Sequence, residues 1–91
     1  MLGIERSKTY IKDIKKVKFS DTQYHRYILY LGKLLNQEVL PPEARDHHLK
    51  GEWFSFREFH LAGDLLVIYK IQFETLYLIR IGKHSQLFKK F

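Results

Sequence analysis

The sequence predicts an α+β domain, with two N-terminal helices packed on one face of a small antiparallel sheet. Three observations carry this. Apolar residues up to residue 36 recur at helical spacing, whereas those after residue 53 fall into runs of strand length separated by turn residues. Helices that come first, followed by strands consecutive in a meander, are the order of an α+β domain and not of alternating βα units. The 91 residues supply one core and hence a single domain, 1–91.

Residues 2 to 5 read as a short strand. Ser7 is then an N-cap for a first helix, whose apolar positions Tyr10, Ile11, Ile14 and Val17 fall one turn apart. SDTQ, residues 20 to 23, has the S-x-x-Q form of a capping box. It opens a second helix with Tyr24, Tyr27, Ile28, Leu31, Leu34 and Leu35 on its apolar face, and Asn36 stops it. Pro41 and Pro42 forbid helix in the polar loop VLPPEARDHHLKGE. WFSFREFHL, 53 to 61, reads as a strand with Phe54, Phe56, Glu58 and His60 on one face and Trp53, Ser55, Arg57, Phe59 and Leu61 on the other. AGD turns the chain into DLLVIYKI, apolar enough to be a central strand covered on both faces. QFE turns it again into TLYLIRIG, the third strand of the meander. The remaining HSQLFKKF is too short for an independent element.

Seven Phe, six Tyr and one Trp are ample for one core, and with two Pro and five Gly the chain is neither disordered nor fibrous in composition. Without cysteine there is no disulfide scaffold and no thiolate zinc site, which suits a reducing cytoplasm. The N-terminus is too charged for a signal peptide and no run approaches the ~18 apolar residues of a membrane span, so the expectation is a cytoplasmic protein with no membrane partner. Sixteen Lys and Arg against ten Asp and Glu give a net +6, a charge that attracts polyanions: nucleic acid or an acidic protein. Charge of this size also serves solubility alone.

The residues that carry chemistry cluster late in the chain. His47 lies in the loop before the first long strand, Glu58 and His60 share a face of that strand, and Asp64 sits in the turn after it. Arg80 shares its face with Leu78 and Leu76 on the last strand, and His84 follows that strand. A meander can bring these together at one end of the sheet, which would put three imidazoles, two carboxylates and a guanidinium within reach of one cleft. Such a set suits cleavage of RNA by its own 2′-hydroxyl. That reaction needs a base for the hydroxyl proton, an acid for the leaving 5′-oxygen, and a cation for the charge developing on the phosphate. Imidazole fills either proton-transfer role near neutrality, and Arg or Lys supplies the cation. The alternatives are solvated histidines, a turn role for Asp64, a cross-strand Glu58–Arg80 ion pair, and a His-His-Asp metal site, although no short ligand motif such as HExxH is present. His25 and His48 carry no such reading.

Three blocks, DHHLKGEW at 46 to 53, FREFHLAGDLLVIYK at 56 to 70 and RIGKHSQLF at 80 to 88, resemble the D-H-x-L-x-G-x-W, Y-R-D/E-x-H-x-x-x-D-x-x-L-I/V-Y and R-x-G-x-H-x-x-L-F blocks of YafQ-like toxins of the RelE/ParE superfamily, from bacterial type II toxin–antitoxin systems. The blocks come in order and span about half the chain, from residue 46 to 88. The resemblance implies a metal- and cofactor-independent mRNA endoribonuclease that acts on codons in the ribosomal A site and is held inactive by a cognate antitoxin. It carries the family's site onto His47, His60, Asp64, Arg80 and His84, with Glu58 where relatives have Asp or Glu and Phe88 as an aromatic stacking on a base. Between the two histidines of RDHHL, block spacing selects His47. KKF, residues 89 to 91, departs from the family by running past Phe88, where it would extend or crowd the RNA contact. A superfamily member that blocks gyrase, or that only binds its antitoxin, is the non-nuclease alternative, and it has no need of imidazoles at this cleft. Lys12, Lys15, Lys16 and Lys18, far in sequence from the cleft, are expected to meet ribosomal RNA phosphates.

Overall fold

The computed structural model describes residues 1–88, so the expectation about KKF, residues 89 to 91, lies outside the described residues. Five strands form one sheet in the order β1-β5-β4-β3-β2. They are β1 (Gly3–Arg6), β2 (His47–His48), β3 (Arg57–Ala62), β4 (Leu65–Gln72) and β5 (Thr75–Lys83), and the helices are α1 (Lys8–Ile14), α2 (Asp21–Leu35) and α3 (His84–Leu87). The expected meander is β3-β4-β5, antiparallel throughout, and β1 joins β5 in parallel.

The two longer helices begin where a side chain can take up their free N–H groups. The Ser7 hydroxyl accepts from the Tyr10 N–H and donates to the Ile79 carbonyl, so one residue caps α1 and ties it to β5. Ser20 and Gln23 form a reciprocal capping box at α2, as S-x-x-Q predicts, and Gln23 also donates to the Ala62 carbonyl at the end of β3. Both helices lie on one face of the sheet, over a core of Tyr10, Tyr30 and Leu34 against Phe59, Leu61, Val67, Tyr69, Leu76, Leu78 and Ile81. β4 is the strand covered on both faces, Leu65 to Tyr69 all being buried. Its Leu66 and Ile68 belong to a second, smaller cluster on the distal face, with Leu49, Trp53, Phe56, Ile79, Leu87 and Phe88.

Several expectations are corrected. α1 ends at Ile14, short of Val17, and HSQL forms a one-turn helix. Tyr24 and Ile28 are exposed on α2, whose deepest aromatic is Tyr30. The first long strand starts at Arg57. Trp53 closes a 3-10 turn and packs on Phe56, so the two share a face. The parity assigned to Arg80 fails because β5 carries a bulge: Tyr69 pairs with Leu78 but Ile68 with Arg80, leaving Ile79 as the extra residue.

Candidate active site

The distal face of the sheet is where the histidines meet. In antiparallel pairs directly opposed residues point the same way, so Glu58–Ile68 and His60–Leu66–Gly82 are rungs across this face, whereas Arg80, registered opposite Ile68 at the β5 bulge, reaches Asp13 of α1. β2 adds His47 opposite Glu58, whereas His48 lies opposite Arg57 and points away. The loop that delivers His47 is pinned by Asp46, which accepts from the Tyr69 hydroxyl at 2.6 Å and from Arg57 Nε at 3.1 Å.

Glu58, 5% exposed, is the hub of the group. Its Oε1 lies 2.9 Å from His47 Nε2 and 3.5 Å from His60 Nε2. Its Oε2 is buried and has no hydrogen-bond partner among the described residues. An orphaned acceptor of this kind costs about 1 to 3 kcal/mol. The proton positions follow from the partners. His47 Nδ1 lies 2.6 Å from the Arg45 carbonyl oxygen, which only accepts, so Nδ1 carries a hydrogen, and the contact of Nε2 with Glu58 requires one further proton shared by that pair. His60 Nδ1 lies 3.2 Å from Arg45 Nη2, which only donates, so Nδ1 is an acceptor and the hydrogen of the neutral ring is on Nε2. Burial pushes the His60 proton affinity below the ordinary imidazole value. The Arg45 guanidinium pushes the same way, and Glu58 opposes them.

The second half of the site lies across β4. His84 opens α3, its N–H bonded to the Asp64 carbonyl at 3.3 Å, and its ring lies 4.7 Å from that of Phe88. Phe88 is half-buried and meets Trp53 edge-on at 5.8 Å, so it both anchors α3 to the distal cluster and keeps part of its ring open. Leu66 separates His60 from this half, putting β3 and β5 roughly 10 Å apart.

Arg80 does not join the histidines. Asp13 of α1 holds its Nε at 2.7 Å and its Nη2 at 3.1 Å, and also accepts from the Ile81 N–H at 3.2 Å. This bidentate grip raises the guanidinium's proton affinity further. With Lys16, Lys18, Gln23, Asp64 and Lys83, Arg80 lines a separate hollow of about 510 Å³ beside the end of the sheet. The single cleft expected from the sequence is therefore divided, with the histidines on the distal face and Arg80 in this hollow, and the considered Glu58–Arg80 ion pair is absent because each has another partner. Arg45 and Asp46 are the residues that sequence reasoning missed as parts of the site. Asp46 stands in the D-H-x-L block, whereas nothing in the loop sequence marks Arg45.

The same arrangement of helices, sheet and C-terminal turn occurs in solved bacterial toxins. A metal-bound toxin from Helicobacter pylori is 42% identical, with 97% of this chain and 100% of that one aligned at a TM-score of 0.82. The Escherichia coli DinJ–YafQ complex contains a chain 31% identical, covering 97% of this chain and 99% of that one at a TM-score of 0.76. Among curated proteins, the mRNA interferase toxin YafQ of Escherichia coli K12 is 35% identical over 88 residues, 93% of this chain and 94% of its own length. The family model describing YafQ, a bacterial toxin of type II toxin–antitoxin systems, matches residues 2–89, and the chain belongs to that family.

The metal in the Helicobacter relative raises the question of a site here. Among the described residues no group of three or more His, Asp or Glu side chains is disposed to hold a metal ion. Both imidazole Nε2 atoms meet at one Glu58 oxygen, Oε1, at 2.9 and 3.5 Å.

Proposed function

We propose that the protein is a ribosome-dependent mRNA endoribonuclease, cutting codons in the A site of the cytoplasmic ribosome by attack of a 2′-hydroxyl on the adjacent phosphate. A cognate antitoxin neutralises it. Support comes from the relative named an mRNA interferase and from the relative crystallised with DinJ. The observation that carries the chemistry is the division of imidazoles to either side of Leu66. In an in-line displacement the attacking and leaving oxygens flank the phosphorus about 3 to 4 Å apart. A base and an acid each within about 3 Å of its oxygen then stand some 9 to 10 Å from one another. β3 and β5, flanking β4, stand at about that separation, and His47, on β2 one strand further out, reaches inward to Glu58 on β3.

In this reading His47, on its Glu58 relay, and His84, past the end of β5, exchange the two protons. His60 and Glu58 hold the nucleotide at one side, and the open part of the Phe88 ring stacks on a base at the other. Asp64 carries the turn that fixes His84. Arg80, oriented by Asp13, and the lysines beside it draw the phosphate backbone along the neighbouring hollow. These side chains supply acid, base and cation, so no metal is required.

The test is to map mRNA 5′ ends in a translating extract with and without the protein, and again with EDTA added to purified protein on pre-formed programmed ribosomes. New ends at A-site codons, unchanged by chelator, are expected. Equal cutting of free mRNA overturns ribosome dependence, and loss of cutting restored by zinc overturns metal independence. Absence of new ends leaves a protein that only binds its partners.

A further inference from the structure

We propose that Arg45 is a positioning residue that sets the proton on both neighbouring imidazoles: its carbonyl fixes His47, and its guanidinium holds His60 as the neutral Nε2–H tautomer. The inference rests on reading the distal face as a nuclease site, and it assigns that site a residue and a division of roles.

The geometry joins three observations. Arg45 follows a 3-10 turn and has φ 48° and ψ 44°, a left-handed conformation in which glycine or asparagine is the usual occupant. That conformation aims its carbonyl at His47 Nδ1 while its side chain returns over the sheet to His60 Nδ1. A guanidinium has donors only, so it occupies the one lone pair through which neutral His60 would take a proton. The charged groups facing His60 are Arg45 from the preceding turn, His47 from β2 and Glu58 from its own strand. From β4 it meets Leu66, and no titratable side chain. Two of the three charged groups oppose a positive ring.

The consequence is a division of labour between two histidines that share one carboxylate. His60 turns its Nε2–H to the Glu58 carboxylate and, held neutral, acts as a fixed donor to that hub and not as a proton-transfer group. His47, whose Nδ1–H is spent on a carbonyl and whose Nε2 shares a proton with Glu58, is the member equipped to move one. Arg45 touches neither reacting atom and works through these two rings.

Arg45→Asn separates the two functions, because asparagine tolerates the left-handed backbone, preserving the carbonyl at His47, and removes the guanidinium. Arg45→Lys restores a donor and a charge. The free protein with ¹⁵N-labelled histidine is titrated by NMR, and single-turnover cleavage is measured on programmed ribosomes from pH 5.5 to 8.5, a range chosen around the ~6.5 of ordinary imidazole. In the parent, His60 should show the Nε2–H tautomer and a midpoint below that value. In Arg45→Asn its midpoint should rise and its tautomers mix while the His47 signals stay. The rate at neutral pH should fall roughly ten- to a hundredfold, the cost of a mis-set group. The acid limb of the rate should move upward with the His60 midpoint, and Arg45→Lys should recover part of both. An unchanged His60 midpoint and tautomer in Arg45→Asn overturns the inference, as does a rate loss with no movement of the limb. If the NMR changes occur but neither protein cuts mRNA, the positioning role stands and the nuclease reading falls.

Discussion

Asp13 and His60 show how much at the residue scale depends on a single partner. Asp13 satisfies three donors from β5, two on Arg80 and the Ile81 N–H, from a position mostly out of water. Asp13→Ala leaves all three unpaired and should cost about 1 to 3 kcal/mol in chemical denaturation. Asp13→Asn, which keeps one acceptor, should cost less. His60 makes stability depend on pH in one direction. Its proton affinity is lower in the folded protein than in the unfolded chain, so above the ordinary imidazole value both states are neutral and nothing is lost. As pH falls through that value the unfolded chain takes the proton first, and stability drops until His60 itself titrates. Urea midpoints between pH 5 and 8 should show this fall, and His60→Gln should flatten it. The letters of the site were legible in the sequence because strand parity puts Glu58 and His60 together and block spacing picks His47. The partners were not. Arg45 reaches His60 only through a left-handed turn, and Asp13 reaches Arg80 across 67 residues, neither of which leaves a periodic trace.

β5 and α3 meet so closely that the element scale has its own test. A Cβ on Gly82 would lie 3.2 Å from Gln86 Oε1 and 3.2 Å from a Leu87 methyl. Gly82→Ala should therefore lift α3 from the sheet, moving His84 and Phe88, with a loss of about 1 to 3 kcal/mol in thermal or urea melts. Cleavage should fall further than the stability loss explains, while the His47–Glu58–His60 relay keeps its NMR signature. α2 could be read closely from sequence because both its ends carry local signals, the Ser20–Gln23 box and Asn36. Strand faces could be counted only as far as the first irregularity. Bulges at Leu61 and Ile79 each insert one residue, and the 3-10 turn ending at Trp53 reverses that ring, so period-2 counting fails at the margins of the site, where bulges re-aim side chains.

For the whole molecule, the fold class was legible because a short chain with helices before strands has few arrangements, and both helices do cover one face. The second cluster under the distal face was not, since Leu49, Trp53, Phe56 and Phe88 come from loops and ends that no periodicity links. Charge acts at this scale as well. Lys12, Lys15, Lys16 and Lys18 are exposed, and Lys16 and Lys18 rim the hollow that holds Arg80. Replacing all four with Gln should weaken ribosome binding and reduce the slope of log affinity against log salt by up to about 0.7 to 0.9 per lost phosphate contact. The single-turnover rate on saturated ribosomes should change far less. The clasp of β1 on β5 bears on time as well as on architecture. Ser7 finds the Ile79 carbonyl 72 positions away, and among the described residues β1 pairs with β5 alone. Chains dominated by such distant pairings fold slowly for their size, because the ends must meet before either gains anything. During synthesis the N-terminal strand waits unpaired until the Thr75–Leu78 stretch of β5 has emerged, so the sheet closes only after β3 and β4 are already made.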